Sequence, residues 1–178
     1  MTVLNIHGYG GTPHNSAYTA LSNRGYRIVS PAIDYDRETP DDIVARLYAI
    51  IESEQVDLIV GVSLGGFFAA VCAAGTRLPV VLINPCLLPF LHLPCLGYTR
   101  SVAPFLPLFG TLSQLERDRV FCIVGGKDEV IDTHDFARNL FSDARVTIAP
   151  DGRHSGSTLP LDSYFASVLP AVEKLTAE

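Results

Sequence analysis

The sequence predicts an α/β protein in three layers, α/β/α, built on a mostly parallel six-stranded sheet. Short runs of Val, Ile and Leu lack in/out alternation, which is how strands covered on both faces read. These runs alternate with segments of helical period. That βαβα rhythm makes a doubly wound sheet, with right-handed crossovers placing helices on both faces. The chain has 178 residues, 48% apolar and 18% charged, enough for one domain with a full core and too apolar for disorder.

In chain order the expected strands are Val3–Ile6, Arg27–Val29, Leu58–Val62, Val80–Ile83, Val120–Val124 and Val146–Ile148. The first helix is expected over residues 15–24, where Ala17, Ala20 and Leu21 recur and Gly25 follows the end. "TPDDIVARLYAIIESE" opens the second with Thr39 as cap, Pro40 at the first position and two Asp in the first turn. "LGGFFAAVCAAGT" forms the third and stops at Gly75. "DTHDFARNLF" forms another, with Asp132 as its cap, and "LPLDSYFASVLPAVEKL" closes the chain, with a kink expected at Pro170. No repeat, low-complexity tract or linker interrupts the chain, so residues 1–178 read as a single domain. Residues 86–119 break the rhythm. They form a helical or irregular insertion between strands four and five, rich in Pro, Leu and Phe, and too long to be idle.

Composition excludes several functions. The net charge is −6 and no Lys/Arg stripe exists, which argues against nucleic acid as a partner. "MTVLNIHGYGG" enters a strand without a basic region or cleavage site, so a cytoplasmic protein is expected. The stretch "CLLPFLHLPCLGYTRSVAPFLPLFG" is broken by four prolines, a His and an Arg, so no stable membrane insertion is expected. Cys72, Cys86, Cys95 and Cys122 show no CxxC spacing and read as reduced, mostly buried thiols. "GYGGTP" has Pro13 where a dinucleotide fingerprint needs its third glycine, and "GGKDE" lacks the rest of a P-loop. No His/Cys/Asp cluster has metal spacing. Neither cofactor nor metal is expected.

Gly61-Val62-Ser63-Leu64-Gly65 matches G-x-S-x-G at the end of a strand and the start of a helix, the context that motif requires. Chance alone places the motif in roughly one chain of this length in twenty. Its placement therefore carries the weight. A sharp strand-to-helix reversal lifts the serine to its apex, and side chains at Gly61 and Gly65 would collide there. A serine nucleophile needs a base and an orienting acid, and behind this elbow they follow in the order Ser, Asp/Glu, His. Asp128 follows the Gly-Gly turn after the fifth strand, with Glu129 and Asp132 as competitors. His154 lies in the polar loop after the last strand, where it is able to bridge that acid to Ser63. His134, His92, His14 and His7 fit less well. The oxyanion needs two donors. The N–H of Leu64 and the N–H of Tyr9, in the first loop, are the candidates, with His7 shaping that loop.

The ordered segments "HGYGGTP", "GVSLGGFFA", "INPCLLPF", "GGKDEVID" and "GRHSG" resemble the small YqiA-type esterases of the α/β-hydrolase superfamily along nearly the whole chain. The double-glycine elbow, Asn84-Pro85 and the acid-Glu-Val segment are the more specific parts. The resemblance implies a minimal α/β-hydrolase fold. It also implies hydrolysis of small-molecule carboxylic esters, or thioesters, by a Ser-Asp-His triad without cofactor. Carried over by motif, the triad falls on Ser63, Asp128 and His154. Amidase or lactonase activity is the alternative within enzymes, and a non-catalytic binding or scaffold protein is the alternative outside them. For the insertion, two readings compete. Apolar residues including Phe105 and Phe109 form an acyl pocket or lid over the serine, or they cover the sheet or pack between subunits of a homodimer.

Overall fold

The computed structural model describes residues 1–142 and 145–177. Six strands, β1 (Thr2–Ile6), β2 (Arg27–Val29), β3 (Leu58–Val62), β4 (Val80–Ile83), β5 (Val120–Gly125) and β6 (Val146–Ala149), form one sheet in the order β2-β1-β3-β4-β5-β6. Every neighbouring pair is parallel. The register places Ile6 beside Gly61 and Val62 beside Ile83, so the ends of β1, β3 and β4 meet at one sheet edge. Loops at the carboxyl ends of such strands are where sites gather.

The helices are α1 (Ser16–Ser22), α2 (Pro40–Ser53), α3 (Leu64–Thr76), α4 (Pro89–His92), α5 (Phe105–Thr111), α6 (His134–Phe141) and α7 (Leu161–Thr176). Leu4, Ile6, Ile59, Leu82, Cys122 and Val124 pack with α2, α3 and α6 on one face. Val3, Leu58, Val60, Val81 and Ile123 pack with α1 and α7 on the other. Strands buried on both sides explain the uninterrupted apolar runs.

The caps explain most helix starts. Thr39 Oγ1 accepts from the N–H of Asp42 at 3.2 Å, with Pro40 at the first position, as expected for α2. Asn15 caps α1 by accepting from Tyr18 N at 3.0 Å, so that helix starts at Ser16 and ends at Ser22, shorter than the expected 15–24. Asp132 does not cap α6. The residue before that helix is Thr133, which makes no side-chain cap bond, and Asp132 is exposed. α3 does not stop at Gly75 but runs to Thr76, and Arg77 ends it in the left-handed region. Gly75 instead makes room for Tyr48 of α2, whose ring carbon Cζ lies 3.0 Å from where a Cβ would stand. The last helix starts at Leu161, after Pro160, and continues through Pro170.

The insertion wraps α3. Leu87, Leu93, Tyr98, Phe105 and Leu112 join the core cluster of α2 and α3, while Leu91 and Leu106 face solvent. Ten of the thirteen residues of α3 are buried. A helix apolar all round needs such cover. No helix among the described residues is long and apolar enough to cross a membrane. All four cysteines are free thiols, and only Cys95 is exposed.

Glycine substitutions test this packing. A Cβ on Gly65 would overlap the backbone carbonyls of Ile6 and His7, which no side chain motion relieves, whereas one on Gly110 of α5 meets nothing within 4 Å. Gly65→Ala is expected to lower stability by about 3 kcal/mol. Gly110→Ala is expected to raise it by about 0.5–1 kcal/mol through helix propensity. Urea unfolding of the two variants checks both signs.

Candidate active site

The elbow starts from one backbone conformation. Ser63 has φ +53° and ψ −120°, a region sparsely visited by residues with a Cβ. Three hydrogen bonds hold it. Ser63 N donates to Ile83 O at 3.0 Å, and Ser63 O accepts from Gly66 N at 2.8 Å and from Cys86 N at 3.0 Å. The glycines make the turn possible. A Cβ on Gly61 would overlap the carbonyl of Gly65 and stand 2.6 Å from Ala69 Cβ, and one on Gly66 would stand 2.9 Å from Pro85 Cβ. The expectation of a close Gly61–Gly65 approach holds. Gly65 is glycine for a further reason, the end of β1 described above.

The structure brings Ser63, His154 and Asp128 together. His154 Nε2 lies 3.0 Å from Ser63 Oγ, and His154 Nδ1 lies 3.0 and 3.1 Å from the two oxygens of Asp128. An ionised carboxylate only accepts, so the proton of the neutral ring sits on Nδ1 and Nε2 is free to accept from the serine hydroxyl. Ser63 is 8% exposed, and the Asp128 side chain is 1% exposed. Burial pushes the Asp128 carboxyl up. Donors from His134, His154, Ile131 N and Val130 N outweigh that effect and hold it well below the usual carboxylate range. Cys86 is no rival nucleophile, because burial and the Asp128 charge push its thiol up to about 12.

Several of these contacts were not foreseen. His134 Nε2 donates to Asp128 Oδ2 at 2.8 Å, so the carboxylate lies between two imidazoles. The sequence shows His134 only as a residue near a helix start, and a contact six positions back has no local signature. His92, from the insertion, is buried and bonds Thr133 Oγ1 at 2.9 Å beside that pair. Burial lowers its affinity for a proton, against the pull of Asp132. Asn84 is fully buried with φ +43°. Its side chain donates to Arg153 O at 2.8 Å and His154 O at 2.9 Å and accepts from Gly125 N at 2.7 Å. It thereby ties the histidine loop to β5. Glu129, read as a surface competitor, is exposed and accepts from His154 N at 3.2 Å.

The other expected site residues lie as follows. Leu64 opens α3, and N–H groups in a first helical turn have no intrahelical acceptor. Gly8 stands against Ser63, its Cβ position 3.4 Å from Oγ. Tyr9 follows in a turn closed by Gly11 N to Gly8 O at 3.0 Å, and its hydroxyl donates to Asp36 at 2.9 Å. His7 shapes this loop. Nε2 accepts from Ile33 N at 3.0 Å, so Nδ1 carries the proton and donates to Gly8 O at 2.9 Å. A cavity of about 450 Å³ lies along this loop, lined by His7, Tyr9, Ile33, Tyr35 and Asp36 among others. Phe105 is 2% exposed and ring-packed on Phe67, Phe68 and Tyr98. Phe109 packs on Phe90 and Phe136. So buried a ring as Phe105 offers an acyl chain almost no surface. Among the described residues, no group of three His, Cys, Asp or Glu side chains is placed to hold a metal ion.

The arrangement has the parts for acyl transfer: a hydroxyl, a base in the accepting tautomer and an ionised orienting acid. Linkage makes the acid testable without any substrate. A depressed carboxyl pKa stabilises the fold above the unfolded value of ~3.9, and that contribution is lost as pH falls below it. Asp128→Asn is expected to lower the urea midpoint at pH 7, with the gap to the parent protein narrowing below about pH 4. Parallel curves would contradict the assignment.

A model of the uncharacterised protein family UPF0227 matches residues 2–102. No curated protein matches the chain. Among solved structures, the chain is similar to one reported for the metagenome-derived lipolytic enzymes LipS and LipT. The two share 15% identity over 97% of this chain and 93% of that one, with a TM-score of 0.71. It is similar to Est1E from Butyrivibrio proteoclasticus, at 16% identity over 99% and 88% of the two chains and a TM-score of 0.69. It is also similar to the esterase RhEst1 from Rhodococcus sp., at 15% identity over 98% and 91% and a TM-score of 0.59. At such identities the likeness is one of fold, and the fold is that of the α/β hydrolases.

Proposed function

We propose that this chain, which belongs to the uncharacterised protein family UPF0227, the YqiA family, is a serine hydrolase of small-molecule carboxylic esters or thioesters. The observation that carries the proposal is the continuous Ser63–His154–Asp128 hydrogen-bonded relay on a strained elbow. The esterases and lipolytic enzymes that share the fold favour esters over amides or lactones. A complete relay also speaks against a scaffold role, which needs none of these groups.

In the proposed mechanism His154 Nε2 takes the proton of Ser63 Oγ as the oxygen attacks the acyl carbon. Asp128 holds the imidazole and stabilises its cation. The N–H groups of Leu64 and Tyr9 are assigned to the developing oxyanion. The alcohol or thiol leaves with the proton from His154, and water releases the acid by the same steps in reverse order. No cofactor or metal enters any step. The charge and the absence of a basic stripe leave nucleic acid outside the proposal.

Ser63→Ala is expected to lower kcat/KM for p-nitrophenyl butyrate by at least about a thousandfold and to abolish labelling by a fluorophosphonate probe. Retained hydrolysis in that variant sinks the proposal. His134 is a positioning residue in this scheme, acting through Asp128. Removing its donor leaves more negative charge for His154, so His134→Phe is expected to move the acid limb of the pH–rate profile to higher pH by about half a unit to one unit, with a fall in kcat. His134→Gln, which keeps a donor, is expected to restore the profile. An unmoved limb in His134→Phe limits His134 to packing.

A further inference from the structure

Charge is spread unevenly along this chain. The chain is 18% charged, yet residues 86–115 of the insertion carry one charged side chain, Arg100, and no carboxylate. Arg100 lies along the segment between β2 and α2, where Nη1 donates to Glu38 O at 2.6 Å and to Asp36 O at 3.3 Å. Fourteen of residues 86–115 are exposed, and none of these is charged. Leu91 is 54% exposed, Leu96 40% and Leu106 52%, three of the four large hydrophobic side chains exposed among the described residues. None of the four Phe and Tyr rings of the stretch is exposed. Phe90 meets Phe109 edge-on at 5.4 Å, which joins α4 and α5, the helices that carry Leu91 and Leu106. The stretch is fastened to the loops of the relay at three points. Cys86 N donates to Ser63 O at 3.0 Å, His92 Nε2 bonds Thr133 Oγ1 at 2.9 Å, and the Tyr98 ring meets the Tyr9 ring edge-on at 5.9 Å.

Resting on the ester-hydrolase reading, we infer that the outer face of residues 86–115 docks on a lipid–water interface without net charge, and that esters held in such a surface are the substrate class. Exposed apolar patches mark interaction sites. The composition of this one selects its occupant. A stable protein interface uses roughly 20–30 residues a side and centres on aromatic and Arg anchors. Fourteen exposed residues, with no exposed ring and no exposed charge, fall short of that for a second copy or another protein. A lipid surface is fluid and asks only for apolar area, with no shape to match and no charge to desolvate. The net charge of −6 is carried outside the stretch and opposes an anionic surface. Docking through three half-exposed leucines is weak and reversible. Because the stretch is tied to the serine elbow, the first loop and the acid loop, docking brings the relay to the same surface.

The purified full chain is floated with vesicles of diether phosphatidylcholine, which offers no acyl ester to cleave. Binding is expected at millimolar lipid, and it is expected to fall when half of the lipid is replaced by diether phosphatidylglycerol. Leu91→Asp and Leu106→Asp are each expected to weaken binding at least about fivefold, and the double variant about twentyfold or more. On p-nitrophenyl butyrate in solution the double variant is expected to stay within about twofold of the parent protein, while on emulsified tributyrin it falls about tenfold or more. The soluble substrate also reports that the variant is folded, and the single variants carry the comparison where the double one is not. Absence of vesicle binding, stronger binding to the anionic vesicles, or binding that the double variant keeps overturns the docking surface. A parent protein that sediments as a dimer, and that the double variant turns into a monomer, assigns the face to a second copy and overturns it too. Failure of the ester reading looks different: p-nitrophenyl butyrate is untouched and the fluorophosphonate leaves Ser63 unlabelled, which removes the substrate class whatever the vesicles show.

Discussion

The backbone of Ser63 is the constraint on which the rest depends. A residue with a Cβ held at positive φ costs of order 1–3 kcal/mol and persists only where its surroundings over-determine it. Here they do so from two sides. β4 accepts the serine N–H through Ile83 O, and the serine carbonyl is held by N–H groups from α3 and from the segment after β4. This grip forces α3 to begin at the carboxyl end of β1, where the carbonyls of Ile6 and His7 leave no space for a Cβ on Gly65. The helix then runs under the sheet with buried residues on all sides. Its Phe67 and Phe68, each fully buried, are the kind of side chain worth about 1.5–3 kcal/mol in burial. Strain at one residue is thus offset by the packing of the helix it starts.

A second set of contacts carries the elbow's position across the sheet. Adjacent strands β4 and β5 end at Ile83 and Gly125, and Asn84, directly after β4, bonds both the end of β5 and the carbonyls of Arg153 and His154. The histidine loop is also fastened from β5 and β6. Lys127 N donates to Gly152 O at 2.8 Å and Gly126 N to Ala149 O at 2.7 Å. The base therefore hangs on the Asn84 side chain and on backbone bonds from the segment after β5, while the serine hangs on the elbow between β3 and α3. This division explains why the residues of the relay, 91 positions apart at their widest, meet without any one loop having to be long.

The fold was legible because burial on both faces leaves a direct mark. Residues such as Leu58, Ile59 and Val60 are fully buried, and the uninterrupted apolar run states that in sequence. Thr39 and Pro40 marked the start of α2 for local reasons that tertiary contacts did not override. The bounds of α1 and the start of α6 were misread by one to two residues. At the end of α3 a contact from elsewhere decided the matter: Gly75 answers to Tyr48 rather than to a helix terminus. The same division holds at the candidate site. Ser63, Asp128 and His154 stand out through a local motif and chain order, and the structure brings them within hydrogen-bond distance. His134 and Asn84 act through space alone, and nothing at their own positions announces it. For Phe105 the sequence left two readings open, because an apolar residue in an insertion reads alike whether it lines a cavity or covers a helix.

The second histidine on Asp128 sharpens what the relay asks of its acid. A carboxylate that is 1% exposed would tend to take up a proton, and a protonated acid no longer stabilises an imidazolium. Two backbone N–H groups on Oδ1 and one imidazole N–H on Oδ2 oppose that tendency, sharing those oxygens with His154. His134 Nδ1 is buried without a hydrogen-bond partner among the described residues, so the ring N–H that is bonded is the one on Nε2, toward the carboxylate. Every donor around Asp128 thus favours its ionised form and holds the carboxyl well below the usual carboxylate range. The same donors draw charge away from the Asp128–His154 bond, a trade between keeping the acid ionised and leaving it basic. A buried carboxylate needs both parts of that balance to serve a base at the surface of the sheet.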